Sequence, residues 1–218
     1  TLRSPNGKPR MLVYGKPGTG KTEFAKAISA ACGYAPCFLR HDRDIGTRSY
    51  SDLLLAARLI DPSREVLVVD EADEFLNLEA SGSRGQSPFR ETIKKGLFNE
   101  FLDGTGARMI FISNETSRIP DSILRRFAFH LGFEDFNLMQ RARVWNELDE
   151  GFDLFDEEDR AALAARYKAN PSRIRQVFDV CSSVRADDGA DTVFQIAEEM
   201  LSRGDELLYG VPRKKRRE

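Results

Sequence analysis

Eight residues near the start of the chain, GKPGTGKT at 15–22, constrain its fold more than any other segment. They fit the pattern G-x-x-x-x-G-K-[ST]. They also stand where that pattern acts, after an apolar run at residues 11–14 and at the opening of a helical pattern. Gly15, Gly18 and Gly20 let the backbone turn so that successive N–H groups face inward as an anion-binding nest. A helix beginning near Lys21 adds the positive end of its dipole. Lys21 would reach the β- and γ-phosphates of a nucleotide as a compact charge, and Thr22 would hold Mg²⁺ through its hydroxyl. Lys16, Pro17, Thr19 and Glu23 complete the candidate binding set. A loop of this kind is expected to bind a nucleoside triphosphate, and no Asn-Lys-x-Asp segment that would read guanine is found in the chain.

Residues 66–69 are four apolar residues followed by Asp70 and Glu71. At the end of a buried strand beside the loop, the Asp70 carboxylate would hold the Mg²⁺ shell. Glu71 would orient and deprotonate an attacking water, which favours hydrolysis over binding alone. A second apolar strand, 109–112, leads to Ser113 and Asn114, whose amide could hold the same water. An Asn capping a turn would look the same. Arg125 and Arg126 precede Phe127, and a planar guanidinium suits the charge on a transferring phosphoryl group. Arg173 lies in an Asn-Pro-Ser-Arg helix start at 170–173 and could reach back to the nucleotide.

The strand candidates are 10–14, 37–40, 66–70, 108–113 and 127–131, with amphipathic stretches at 22–31, 51–60 and 89–102 between them. This alternation implies a mostly parallel sheet with helices on both faces and ligands beyond the strand C-terminal ends. Helical spacing alone continues through 137–148, 156–169, 171–186 and 191–208. Charge divides the chain at the same place. Residues 134–210 carry 9 basic and 18 acidic side chains, while residues 1–133 carry 19 and 16. Two domains meeting near residue 133 are therefore expected. Residues 79–88 read as a small-residue loop, and the basic tail 211–218, with its RKKRR run, as a linker or a nucleic-acid patch.

With 218 residues, 41% of them apolar and 31% charged, the chain is long enough to bury a core. Its apolar runs fall short of the ~20 residues a bilayer requires, so no membrane partner is expected. Cys32, Cys37 and Cys181 are too few for a disulfide framework and form no metal-ligand spacing with His41 or His130, which points to a reducing, cytoplasmic setting. The chain opens on Thr1 without a signal peptide and is taken as a piece of a longer protein.

These five elements, in this order, resemble the AAA+ ATPases, most of all bacterial members of the family. GKPGTGKT matches the family's Walker A loop and residues 66–71 its Walker B strand. Asn114 is similar to sensor 1, the LRRF segment at 124–127 to the arginine-finger site, and Arg173 to sensor 2. The resemblance implies a five-stranded parallel P-loop NTPase sheet with helices on both faces, followed by a small all-α lid domain. It divides the chain into a nucleotide-binding domain at 1–133, a lid at 134–210 and a tail at 211–218. It further implies hydrolysis of ATP with Mg²⁺ in a homo-oligomer, commonly a hexameric ring, in which Arg126 acts in trans on the neighbour's nucleotide. Arg125 is the second candidate for that role. Arg173 would couple the γ-phosphate to rotation of the lid, and adenine would sit near residues 5–12.

Two features depart from the family pattern. Residues 41–50 are polar where many unfoldases carry an aromatic-hydrophobic-Gly pore loop, and Arg125 and Arg126 are adjacent rather than spaced. The leading expectation is an ATP-driven remodeller of a protein partner. A nucleic-acid motor or loader and an ATP-gated assembly switch share the same nucleotide site. A small-molecule kinase would leave the LRRF segment and the helical second part without a role.

Overall fold

The structure, a computed structural model, describes residues 9–39, 50–76, 88–184 and 190–209. The sequence expectations for residues 5–8, 41–49, 79–87 and the tail lie outside the described residues. Two compact units divide the chain, Thr1–Glu134 and Asp135–Glu218.

Three apolar runs dominate the first unit because parallel strands buried on both faces need no polar alternation. They become β1 (Arg10–Gly15), β3 (Glu65–Val69) and β4 (Met109–Ser113). With β2 (Ala35–Phe38) and β5 (Phe129–Phe133) they form a five-stranded sheet in the order β2-β3-β4-β1-β5. Every pairing is parallel. Side chains alternate across the sheet as the pleat requires. Leu12, Leu67, Val69, Met109 and Phe111 pack on one face with Leu53 of α2 (Tyr50–Leu59) and Phe98, Phe101 and Leu102 of α4 (Pro88–Gly104). Val13, Val66, Val68, Ile110 and Ile112 pack on the other with Ala25 of α1 (Lys21–Ala31). The expected α/β sheet with helices on both faces is present.

The order of strands places the site. Because β4 lies between β3 and β1, the segments that leave these three strands start side by side along one edge of the sheet. Ligands of open parallel sheets bind at that edge, where strand order reverses.

Gly15 has a requirement that the loop motif does not reveal. Its φ is +143°, and a Cβ there would lie 2.2 Å from the carbonyl oxygen of Phe133, its register partner on β5. Gly15→Ala is therefore expected to destabilise the protein by at least ~1–3 kcal/mol, the range for overpacking. A urea melt of the variant would show it, and an unchanged midpoint would count against the close approach.

Two strands lie two residues away from their sequence estimates. β2 begins at Ala35, whose N–H donates to the Arg64 carbonyl at 2.8 Å, rather than at residue 37. β5 begins at Phe129 rather than Phe127, because Phe127 is a core residue whose ring packs 5.3 Å from that of Phe111. Two four-residue helices, α3 (Asp73–Leu76) and α5 (Asp121–Leu124), have no counterpart in the sequence estimate. They are too short to show a 3.6-residue period.

The second unit's described elements are all helical. Asn137 and Gln140 form a capping box at the start of α6 (Leu138–Asp149). Asp156 caps α7 (Glu157–Arg166). α7 ends three residues before the expected position, as Tyr167 turns to extended backbone and leads into the restricted step before Pro171. α8 (Pro171–Val184) and α9 (Ala190–Tyr209) complete the unit. Trp145, Phe155 and Phe178 meet at its core with centroids 5.3–5.6 Å apart. All three cysteines are free, Cys32 and Cys37 half-buried, and burial pushes the Cys181 thiol up to about 11, which keeps it protonated and inert. Among the described residues no helix is long and apolar enough to cross a membrane.

Candidate active site

The loop after β1 closes on itself through side chains. Thr19, buried, donates its hydroxyl to the Lys16 carbonyl at 2.8 Å. Gly18 and Gly20 take positive φ of 77° and 91°, and Gly20 is the N-cap of α1. No side chain caps that helix. Its first-turn N–H groups therefore keep the capacity to meet an anion. Lys16 and Pro17 are exposed on the outside of the loop. Glu23, also exposed, has its carboxylate 2.6 Å from the Lys26 ammonium.

Lys21 is the most buried cation near the loop, with 5% of its surface exposed. Its Nζ donates to the carbonyls of Gly15 (2.6 Å) and Lys16 (2.8 Å) and to Oδ1 of Asn114 (3.1 Å). Three acceptors match the three protons of an ammonium. Burial lowers its pKa, and the charges of Asp70 and Asp73 oppose that shift.

Thr22 Oγ1 donates to Asp70 Oδ2 at 2.9 Å, linking α1 to the end of β3. A hydroxyl and a carboxylate in contact are hard oxygen donors of the kind Mg²⁺ takes, so the donor set fits that ion. The other Asp70 oxygen accepts the Glu71 N–H at 2.9 Å. Glu71 has φ +50°, a left-handed backbone that non-glycine residues rarely adopt. The next N–H, of Ala72, donates to the Ile112 carbonyl at 2.7 Å. Fixed on both sides, Glu71 is held in the conformation that presents its exposed side chain at this edge. Strain retained by its surroundings clusters at functional sites.

Asp73 was not singled out from the sequence, yet its carboxylate lies among these groups. It accepts the buried Ser113 hydroxyl at 2.7 Å and the N–H groups of Asn114 (3.2 Å) and Glu115 (3.4 Å). The available signal was its position three residues after Asp70, at the start of α3.

The structure thus brings together Gly15, Gly18, Gly20, Lys21, Thr22, Asp70, Glu71 and Asn114. The arginines are placed differently. Arg126 grips Asp103 through Nε and Nη2 at 2.9–3.1 Å, and Arg125 is exposed. Arg10 donates to the Leu102 carbonyl beside this pair; burial lowers its pKa and Asp103 raises it. In the second unit, Arg173 donates from Nη2 to the Met200 carbonyl of α9 at 2.6 Å, while the Asn170 side chain accepts the Arg173 N–H at 2.9 Å.

Comparison with known proteins identifies the family. Residues 11–135 match the model of the ATPase family associated with various cellular activities. The chain belongs to the AAA ATPases. AAA relatives include the ATP-dependent zinc metalloprotease FtsH of Mycobacterium leprae, 29% identical over 168 residues, which cover 72% of this chain and 21% of that protein. FtsH of Corynebacterium glutamicum is 26% identical over 218 residues, 94% of this chain and 25% of that protein. This chain therefore spans about a fifth to a quarter of those relatives. Among solved structures, the FIGL-1 AAA domain in complex with ADP superposes with a TM-score of 0.61 at 18% identity, covering 92% of this chain and 74% of that one. A chain of the Escherichia coli MS115-1 HORMA:CdnC:Trip13 complex gives 0.63 at 16% identity, covering 88% and 74%. At such identities the likeness is one of fold. As an AAA module, the chain binds nucleotide and is an ATPase.

Proposed function

We propose that this AAA module hydrolyses Mg²⁺-bound ATP at a site completed by a second copy of the chain, and that the resulting movement remodels a protein partner. Residues 1–133 would form the nucleotide-binding domain, 134–210 the lid and 211–218 the tail. The observation that carries the proposal is the meeting of Lys21 with Asn114 and of Thr22 with Asp70. These four side chains come from three separate segments and converge at one sheet edge.

Each residue then has a distinct task. The loop N–H groups and the start of α1 bind the phosphates, and Lys21 exchanges its carbonyl partners for phosphate oxygens. Thr22 and Asp70 would hold Mg²⁺, which would supply positive charge against the phosphate oxygens. Glu71 accepts a proton from water as that water attacks γ-phosphorus and the bond to the β–γ bridging oxygen breaks, releasing ADP and phosphate, and Asn114 orients the water. Arg126, released from Asp103, would place its guanidinium against the neighbour's γ-phosphate, with Arg125 beside it. Arg173, near the start of α8, would couple the γ-phosphate to rotation of the lid.

Protein partners are favoured by the names of similar proteins, since the FtsH relatives are ATP-dependent proteases and the Trip13 neighbour comes from a complex with HORMA and CdnC. A hexameric ring and a cytoplasmic setting belong to the same proposal. ATP turnover per protomer, measured as protein concentration rises, tests the shared site. Specific activity should climb and then saturate. Activity independent of concentration would point to a self-contained site.

A further inference from the structure

We propose that Asp73 is a positioning residue for γ-phosphate recognition: its carboxylate fixes the backbone that leaves β4, and so sets Asn114 against Lys21. The proposal deepens the function given above and rests on the placement of Asn114 and Lys21 at the γ-phosphate.

Asn114 is exposed and has just left the last strand residue, so ladder hydrogen bonds no longer hold it. What holds it is Asp73. Both carboxylate oxygens lie 3.2 Å from the Asn114 N–H. The same carboxylate accepts the Ser113 hydroxyl at 2.7 Å and the Glu115 N–H at 3.4 Å. The Glu115 N–H also reaches Ser113 Oγ at 3.2 Å, so Asp73 acts on 113–115 chiefly through the Ser113 hydroxyl and the Asn114 N–H, and bonds to a charged acceptor are among the stronger ones. So held, the Asn114 side-chain oxygen lies 3.1 Å from Lys21 Nζ.

The turn 70–73 therefore serves three groups at once. Asp70 holds Thr22, Glu71 is held in its left-handed backbone, and Asp73 holds the segment that carries Asn114. A purely structural bracket would use the same contacts. The difference is that a bracket supports binding of every nucleotide equally, whereas a positioning residue supports recognition of the third phosphate.

The experiment uses the whole chain with Mg²⁺ and compares the affinities for ADP and for ATPγS in wild type, Asp73→Ala, Asp73→Asn, Asn114→Ala and the Asp73→Ala/Asn114→Ala double variant. Asp73→Ala should weaken ATPγS about tenfold relative to ADP, the size of effect expected from hydrogen bonds to a charged group. Asp73→Asn keeps an acceptor oxygen and should recover part of the loss. It also remains readable if the alanine variant folds poorly. The double variant should be no worse than Asn114→Ala, because both changes break one link. Equal weakening of ADP and ATPγS, or additive losses in the double variant, would reduce Asp73 to a bracket and overturn the proposal. A wild-type preference for ATPγS that survives Asp73→Ala would overturn it alone, while a wild type that never distinguishes the two nucleotides would overturn the γ-phosphate site itself.

Discussion

Glu71→Gln should lower ATP turnover roughly 10²- to 10⁴-fold, the usual contribution of a positioned general base, and leave nucleotide affinity close to wild type. The argument is one of separated tasks. In the proposed site the binding groups Lys21, Thr22 and Asp70 are held by contacts that do not pass through the Glu71 carboxylate, namely Lys21 on the Gly15 carbonyl and Thr22 on Asp70. Glutamine keeps the size and hydrogen-bonding shape of the side chain but cannot take a proton from water. The backbone N–H of residue 71, which donates to Asp70, is unchanged by the substitution. Phosphate release would report the loss, and a fluorescent-nucleotide titration would report the retained binding. Loss of affinity in step with turnover would mean that Glu71 acts in binding. Unchanged turnover would place the base elsewhere.

Substitution at an exposed position usually changes stability by no more than ~0.5 kcal/mol, so the variant should also melt as wild type does. Glu71 is not an ordinary surface residue, however. A left-handed φ in a residue with a Cβ is kept only where neighbours over-determine it. Here they are Asp70 Oδ1 and the Ala72–Ile112 backbone bond. Glutamine meets the same backbone demand as glutamate, which is why this variant isolates chemistry from strain.

The parts of this molecule that could be read in advance are those whose cause is local. Strands β3 and β4 are continuous apolar runs because both faces are covered, and the glycines and lysine of 15–22 announce a phosphate loop by composition alone. The parts that could not be read depend on distant partners. Phe127 and Phe129 are alike in sequence, and only the ring of Phe111 decides that Phe127 belongs to the core and Phe129 to the strand. Asp73 has meaning only once β4 lies beside β3. The partner of Arg126 is Asp103, 23 residues earlier, and that of Arg173 is a carbonyl 27 residues later. An arginine can be recognised from sequence as a candidate phosphate ligand, but its resting partner cannot.

That resting partner bears on the largest expected effect. Loss of an arginine that stabilises phosphoryl transfer costs roughly 10³- to 10⁵-fold in turnover, and Arg126→Ala should fall in that range. Its bond to Asp103 does not argue against the role. Asp103 is 57% exposed and Arg126 29%, so water reaches the pair from the Asp103 side and screens it. A 10³-fold effect corresponds to about 4 kcal/mol of transition-state stabilisation. Under the proposed arrangement, in which the arginine acts on another copy, two inactive variants should rescue each other. An Arg126→Ala subunit keeps Glu71 and can receive the arginine of a Glu71→Gln neighbour. In a 1:1 mixture about a quarter of head-to-tail interfaces would pair an intact Glu71 with an intact Arg126. Mixing should restore turnover well above that of either variant alone, and Arg126→Ala doped into wild type should inhibit more steeply than its mole fraction. Inhibition in simple proportion, together with mixtures that stay inactive, would place the arginine outside the reaction and leave it the structural role of bonding Asp103 and the Ser122 carbonyl.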